Sequence, residues 1–433
     1  MNNTKQTVII AFALFSLFFG AGNLILPPYL GVQAGSDWYL VALGFSLTAV
    51  VIPILGIYAY AKLQGTMFDF GKKVSPAFSY IYSMFMYAIA IALPAPRTAS
   101  VTHEMAITPF FNSPALLTSC IYFALVFLFV MNRSQLLSLI GKYLTPLIVV
   151  ILLIIIGLGI NSGSSEMATT AVSSPFSLIT IGVFEGYQTF DAIAGVVVGA
   201  VIVLSLKRYG VGSFQEKRKL ILHSGLLAGF GLFIIYAGLI VCGYLWQDNF
   251  SDNATRTEVL TKLSQITLGE IGASFLSVLV ALACFTTAVG VITGASDYVS
   301  GLFQDSRKAY TLTAILSSLI GVLVGSYNVA FIIDVALPAL MFIYPITIVL
   351  ILLHVMPEKF ASETVFKAVV LVTFIFSIPD FLKFLIPIDY LESVLSVIPL
   401  ANHSLGWVLP AIIVFIIVNV YQKKSLNNDI KEA

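Results

Sequence analysis

Ser16-Leu17-Phe18-Phe19-Gly20-Ala21-Gly22-Asn23-Leu24-Ile25-Leu26-Pro27-Pro28 interrupts the first apolar run of the chain. Gly20 and Gly22 each cost about 1 kcal/mol in a helix interior relative to alanine. Asn23 puts an amide side chain in the middle of a segment long enough to cross a bilayer. Non-helical backbone at membrane depth survives only where protein or water covers it. The stretch therefore predicts a broken helix: glycines allow a ligand close to the backbone, and freed amides plus the N-terminus of the second half attract an anion. The structural alternative is a small-xxx-small helix contact.

A second interruption, Val183-Phe184-Glu185-Gly186-Tyr187-Gln188-Thr189-Phe190-Asp191, lies between apolar flanks. Charged side chains at the bilayer centre cost several kcal/mol and persist only when paired or wet. A polar network bracing two helices is the alternative to a ligand site. The two interruptions fall in the first and sixth apolar spans. Corresponding breaks in two halves point to an inverted-repeat secondary transporter with its site at the midplane.

The composition fits this reading. Of 433 residues, 59% are hydrophobic and only 10% charged, with a net charge of +1; mean hydropathy is +0.99. So little charge leaves too few polar residues to coat soluble domains. A soluble enzyme, a nucleic-acid binder and a disordered scaffold are excluded. Long continuous apolar runs also exclude an outer-membrane barrel, whose strands alternate with period two. Cys120, Cys242 and Cys284 all lie in apolar runs and suggest no disulfide framework.

The expected fold is all-α and polytopic. Twelve spans are read at roughly 7–30, 38–61, 76–96, 114–131, 143–160, 176–205, 220–245, 269–302, 310–326, 328–353, 364–386 and 394–421. They form one transporter domain, with one repeat at about 7–160, a second at about 176–353, and two added helices at about 364–421. Residues 97–113 read as a re-entrant or external segment, and 246–268 as a polar, partly helical external loop. With both termini in the cytoplasm, only Arg97, Arg256, Lys262 and Lys383 of the 22 basic residues fall outside. This is the asymmetry of the positive-inside rule.

In the eighth span, Ala283-Cys284-Phe285-Thr286-Thr287-Ala288-Val289-Gly290 carries two adjacent hydroxyls. A lone helical threonine usually returns its hydroxyl to a carbonyl one turn back. Two together, on the span expected to pack against the first, suit a small hard cation.

Phe18-Phe19-Gly20-Ala21-Gly22-Asn23-Leu24 with Pro27-Pro28, Glu185-Gly186-Tyr187-Gln188-Thr189 with Asp191, Phe285–Gly290, and Pro96-Arg97-Thr98-Ala99 resemble bacterial branched-chain amino acid:cation symporters of the BrnQ type. The resemblance covers essentially the whole chain. It implies the LeuT-like superfamily, with five-helix inverted repeats and helices 1 and 6 broken. It also implies transport of leucine, isoleucine and valine across a bacterial cytoplasmic membrane, with no cofactor and with Na⁺ as coupling ion. H⁺ and Li⁺ are the alternative coupling ions. By that resemblance, the amides of Gly20, Ala21 and Gly22 hold the substrate carboxylate. Carbonyls around Glu185, Gly186 and Tyr187 hold its ammonium, and Gln188 lies beside them. Carbonyls of Ser16, Phe19 and Ala283 with the hydroxyls of Thr286 and Thr287 form a Na⁺ site, and Asn23 matches a ligand of a second ion site. The expected partners are the amino acid and the lipid bilayer, with no nucleic acid, and the monomer is the expected functional unit.

Three other functions stand beside this one. A proton-coupled carrier on the same scaffold would use Asp191 or Glu185. An ion channel would need a repeated filter loop or a ring of charges. An intramembrane enzyme would need a motif such as HExxH, whereas His103, His223, His354 and His403 fall at span ends or in loops.

Overall fold

The computed structural model describes residues 3–132, 136–163, 174–197, 199, 213–251 and 253–432. Among these residues the chain is helical, with no strand. Among the described residues, eight helical segments are long and apolar enough to cross a membrane: Ala21–Leu63, Pro76–Ile107, Ala115–Asn132, Phe214–Leu245, Arg256–Leu302, Arg307–Val324, Val329–Val355 and Glu363–Leu382. Shorter apolar helices cover Gln6–Ser16, Pro146–Ser162 and Val408–Lys423. The last part of the expected span 176–205 and the basic residues Arg133, Lys207 and Arg208 lie outside the described residues.

The chain divides into two compact units. The first comprises Met1–Val51, Tyr87–Asp191 and His223–Val335. It contains α1 (Asn3–Phe18), α2 (Ala21–Ala34) and α3 (Trp38–Ser46), the last ending in a π-turn at Leu47–Val51. It also holds α7 (Pro94–Thr102), α8 (Ala115–Asn132), α9 (Leu136–Ser162), α10 (Pro175–Tyr187) and the start of α11 (191–197). Most of α12 (Phe214–Leu245), then α13 (Arg256–Leu302), α14 (Arg307–Val324) and the first turns of α15 (Val329–Val355) complete it.

Small residues draw these helices together. A Cβ on Gly44 would stand 2.0 Å from the Ile179 carbonyl oxygen, and one on Gly182 would stand 2.2 Å from that of Val41. One turn on, a Cβ on Gly186 would meet the Thr48 hydroxyl at 2.0 Å. Gly44 with Thr48 on α3 and its π-turn, and Gly182 with Gly186 on α10, form a small-xxx-small contact. On α14 the leucines 312, 316, 319 and 323 are exposed, while Tyr310, Ala314, Ser317, Ser318 and Gly321 are buried. Apolar side chains outward and small or polar ones inward is the arrangement a lipid solvent favours.

Two local features sharpen the sequence reading. Within 97–113, the stretch read as re-entrant or external, the chain is helical through α7 and a π-turn at His103–Ile107. The polar side chains that lowered the hydropathy there face protein: Thr98 donates to the Ala95 carbonyl at 2.5 Å, and Ser100 to that of Tyr327 at 2.7 Å. α13 contains a kink at Gly269, whose φ of 69° suits a residue without a Cβ. The helical part of the polar segment thus precedes Gly269, and the apolar span follows it. Thr255 caps the polar part by accepting from the Glu258 amide.

The second unit comprises Ile52–Met86, Ala192–Leu222 and Ala336–Ala433. It holds α4 (Ile52–Leu63), α5 (Met67–Lys72), most of α6 (Pro76–Ala92), the later part of α15, α16 (Glu363–Leu382), α17 (Glu392–Leu395) and α18 (Val408–Glu432). Phe70 lies between Tyr60 and His354, with ring centroids 5.2 and 4.7 Å away. The Tyr82 hydroxyl reaches that of Thr347 at 2.9 Å. Lys383 is held by Asp380 at 2.9 Å and by the Ala401 carbonyl.

Candidate functional site

α1 ends at Phe18 and α2 begins at Ala21. Between them Phe19 closes the last turn, its amide donating to the Phe15 carbonyl at 2.8 Å, and its ring stacks on Phe15. Gly20 is extended, with φ −117° and ψ −171°, and serves as the N-cap of α2. Asn23, the third residue of that helix, reaches back so that its Oδ1 accepts from the Gly20 amide at 3.2 Å. This is the reciprocal half of a capping box. The same Asn23 donates through Nδ2 to Asp191 at 2.6 Å and to the Tyr236 hydroxyl. All three residues are at most 1% exposed.

α10 ends at Tyr187, and α11 starts at Asp191. The connecting turn uses its own carbonyls. Gln188 donates to Glu185 at 3.1 Å, Thr189 to Gly186 at 3.3 Å and Phe190 to Tyr187 at 3.0 Å. Phe190 has φ 63°, a left-handed conformation that costs a non-glycine residue about 1–2 kcal/mol. The Arg97 guanidinium lies over its ring, 5.2 Å from the centroid. Arg97 also donates to the Gln188 carbonyl at 2.6 Å. A Cβ on Gly22 would stand 2.5 Å from Arg97 Nη2 and 3.1 Å from the Gln188 oxygen. The two interrupted strings therefore meet, with Arg97 between them.

The threonines of α13 adjoin the first interruption. Thr286 and Thr287 both donate to the Ala283 carbonyl, at 2.9 and 3.0 Å. The Thr287 hydroxyl lies 3.7 Å from the position of a Cβ on Gly20. Ser16 is half-buried in the last turn of α1, and Ala21 is buried in the first turn of α2. Glu185 sends its carboxylate to Arg256, in a pair whose second contact is 3.3 Å, and Arg256 stacks over Tyr29. Gly186 faces Thr48 on the α3 side.

From the sequence, Arg97 counts as one of four external basic residues and as part of a motif, whereas the structure buries it among protein groups; Tyr236 and Thr48 are not singled out. Each is a polar group in a helical run, and nothing local marks which hydroxyl turns inward. Asp191, noted for its carboxylate, proves to be the partner that joins the second interruption to Asn23.

Residues 3–425 match the sequence profile described as branched-chain amino acid transport protein. The chain belongs to that family. Among curated relatives it is 32% identical over 416 residues to the "Branched-chain amino acid transport system 2 carrier protein" of Pseudomonas aeruginosa, covering 95% of this chain and 94% of that one. It is 31% identical over 418 residues to the "Branched-chain amino acid permease BraB" of Bacillus subtilis, covering 94% of each. Among solved structures it is similar to the inward-facing conformation of Mhp1, with TM-score 0.58, 14% identity and coverage of 96% of this chain and 91% of that one. It is also similar to MhsT in complex with L-phenylalanine, with TM-score 0.57, 16% identity and coverage of 95% and 98%. These likenesses give the family member a LeuT-like fold. Its relatives are named as carriers and permeases, so it is a membrane transport protein and not an enzyme.

Proposed function

We propose that this chain imports leucine, isoleucine and valine by symport with Na⁺. The observation that carries the reading is the meeting of Gly20–Asn23 with Gln188–Asp191, beside a pair of threonines on α13. In this reading the chain has twelve spans, with both termini in the cytoplasm, and the first and sixth are the broken helices of two five-helix repeats. In this proposal the amides of the Gly20-Ala21-Gly22 stretch take the carboxylate and the carbonyls of Glu185, Gly186 and Tyr187 take the ammonium, with Gln188 beside them; the Gly20 amide then leaves Asn23 Oδ1, and each carbonyl accepts a further donor beside those of the connecting turn. The apolar side chain enters a pocket where one methylene is worth only about 1–3 kcal/mol, so discrimination among the three substrates is loose.

The Na⁺ site in this proposal takes carbonyls of Ser16, Phe19 and Ala283 and hydroxyls of Thr286 and Thr287. The donors are all oxygen, as a hard cation requires. The placement of the Thr287 hydroxyl beside Gly20 supports it, and both hydroxyls, which here return to the Ala283 carbonyl, would turn to the ion. Asn23 and Asp191 are the candidates for a second ion. Coupling draws on the ion gradient and on the membrane potential, about 2.3 kcal/mol per charge per 100 mV.

The test is radiolabelled leucine uptake into proteoliposomes at fixed pH. An inward Na⁺ gradient should drive accumulation, and collapsing it should abolish accumulation. Uptake that follows an imposed H⁺ gradient and ignores Na⁺ would replace this reading with the proton-coupled one.

A further inference from the structure

Arg97 sits on α7, on neither interrupted helix, yet its guanidinium lies where the interruptions meet. The residue is 3% exposed. It donates to the Gln188 carbonyl at 2.6 Å and lies over the Phe190 ring at 5.2 Å, and its Nη2 fills the side-chain space that residue 22 leaves open by being glycine. A guanidinium carries a planar fork of donors, which matches the two oxygens of a carboxylate.

A second, independent observation concerns Gln188, which is 1% exposed. Its Nε2 donates to the Ile333 carbonyl at 3.2 Å. That bond sets the amide's orientation, because a carbonyl can pair with the NH₂ and not with Oε1. Oε1 is left as a buried acceptor with no hydrogen-bond partner among the described residues. Burying an acceptor unsatisfied is unfavourable, and an ammonium group is the donor that would satisfy it most strongly. One residue thus offers its main-chain oxygen to the cation of Arg97 and its side-chain oxygen to a donor.

We infer that Arg97 reads the carboxylate of the transported amino acid and that Gln188 Oε1 receives its ammonium group. The inference rests on the transport reading above and adds to it. Selectivity for a free α-amino acid comes from this side-chain pair as well as from unwound backbone, and Arg97 is a specificity-determining residue supplied by a third helix.

The experiment uses the purified full-length protein in detergent. It reads ligand-induced stabilisation against temperature with leucine, leucinamide (no carboxylate) and 4-methylpentanoate (no ammonium), with [³H]leucine counterflow in proteoliposomes as a second readout. Wild type should bind leucine at least ~30-fold more tightly than either analogue. Arg97→Gln should drop leucine to the level of leucinamide while leaving leucinamide unchanged. Gln188→Met should drop leucine to the level of 4-methylpentanoate while leaving that analogue unchanged. A purely bracing role would weaken all ligands in parallel, and that result in either variant overturns the inference. If Arg97→Gln does not fold, Arg97→Lys answers the same question, since a single ammonium should narrow the leucine-to-leucinamide ratio without reversing it. An unchanged ratio overturns the proposal. Wild type that binds leucine but discriminates against neither analogue also overturns it and leaves the transport reading standing. Wild type that binds no branched-chain amino acid overturns both.

Discussion

Asn23 and Asp191, 168 positions apart in the chain, are joined by a 2.6 Å hydrogen bond from Nδ2 to Oδ2. The bond links the first turn of α2 to the first residue of α11, so the residues just beyond both interruptions share one buried contact. The Tyr236 hydroxyl approaches the same carboxylate oxygen at 3.4 Å. In surroundings of low dielectric a network of this kind is strong when complete and costly when broken.

Asn23→Ala removes the donor to Asp191 and also the acceptor of the Gly20 amide. We expect a loss of about 2–4 kcal/mol, seen as a fall of several degrees in apparent Tm in detergent. Asp191→Asn keeps the shape and lets an amide oxygen accept in place of the carboxylate. Its Tm should fall less. The reverse order would mean that the charge of Asp191, and not its bond to Asn23, holds the network.

The two glycines of the first interruption should respond differently to alanine. A Cβ at residue 22 collides with Arg97 at 2.5 Å, whereas one at residue 20 meets nothing closer than 3.7 Å, in an extended conformation that alanine adopts freely. Gly22→Ala should therefore lose leucine binding through displacement of Arg97. Gly20→Ala should fold normally, so any loss of uptake in it reports a ligand pressing on that backbone. Gly290→Ala, with nothing within 4 Å, is the control and should match wild type in counterflow assays.

Thr286→Ala/Thr287→Ala removes two hydroxyls that return to a carbonyl of their own helix. The fold should lose little, under about 1 kcal/mol per site. Under Na⁺ symport the apparent Na⁺ affinity, read from leucine uptake against Na⁺ concentration, should fall at least ~10-fold. An unchanged Na⁺ response would remove these hydroxyls from the ion site.

Glu185 and Arg256 form a half-buried ion pair, with side-chain accessibilities of 15% and 18%. Either single change to glutamine leaves a partly desolvated charge unmatched, at a cost of about 1–3 kcal/mol. The double variant Glu185→Gln/Arg256→Gln should be no less stable than the worse single variant. Additive losses in Tm would show that the two residues act separately.

The sequence by itself determined the class of this protein. With 10% charge and 59% hydrophobic residues a chain can bury its surface only in lipid, and backbone satisfaction in lipid then requires helices. It also determined where to look, because glycines next to Asn23, and carboxylates next to Gln188, are expensive in apolar helices unless they contact something polar. The turn between α14 and α15 falls where the expected spans 310–326 and 328–353 meet.

Only the tertiary structure decided which polar groups meet. The period of a helix tells which residues share a face but not what faces them from another helix, so Asn23 could not be paired with Asp191 and Tyr236 in advance. Gly186 reads locally like a hinge, yet it packs on Thr48 because α3 and α10 approach at backbone distance. Arg97 was hidden by its own chemistry. A guanidinium in a stretch of low hydropathy looks exposed until Gln188, Phe190 and the missing side chain of Gly22 are brought around it.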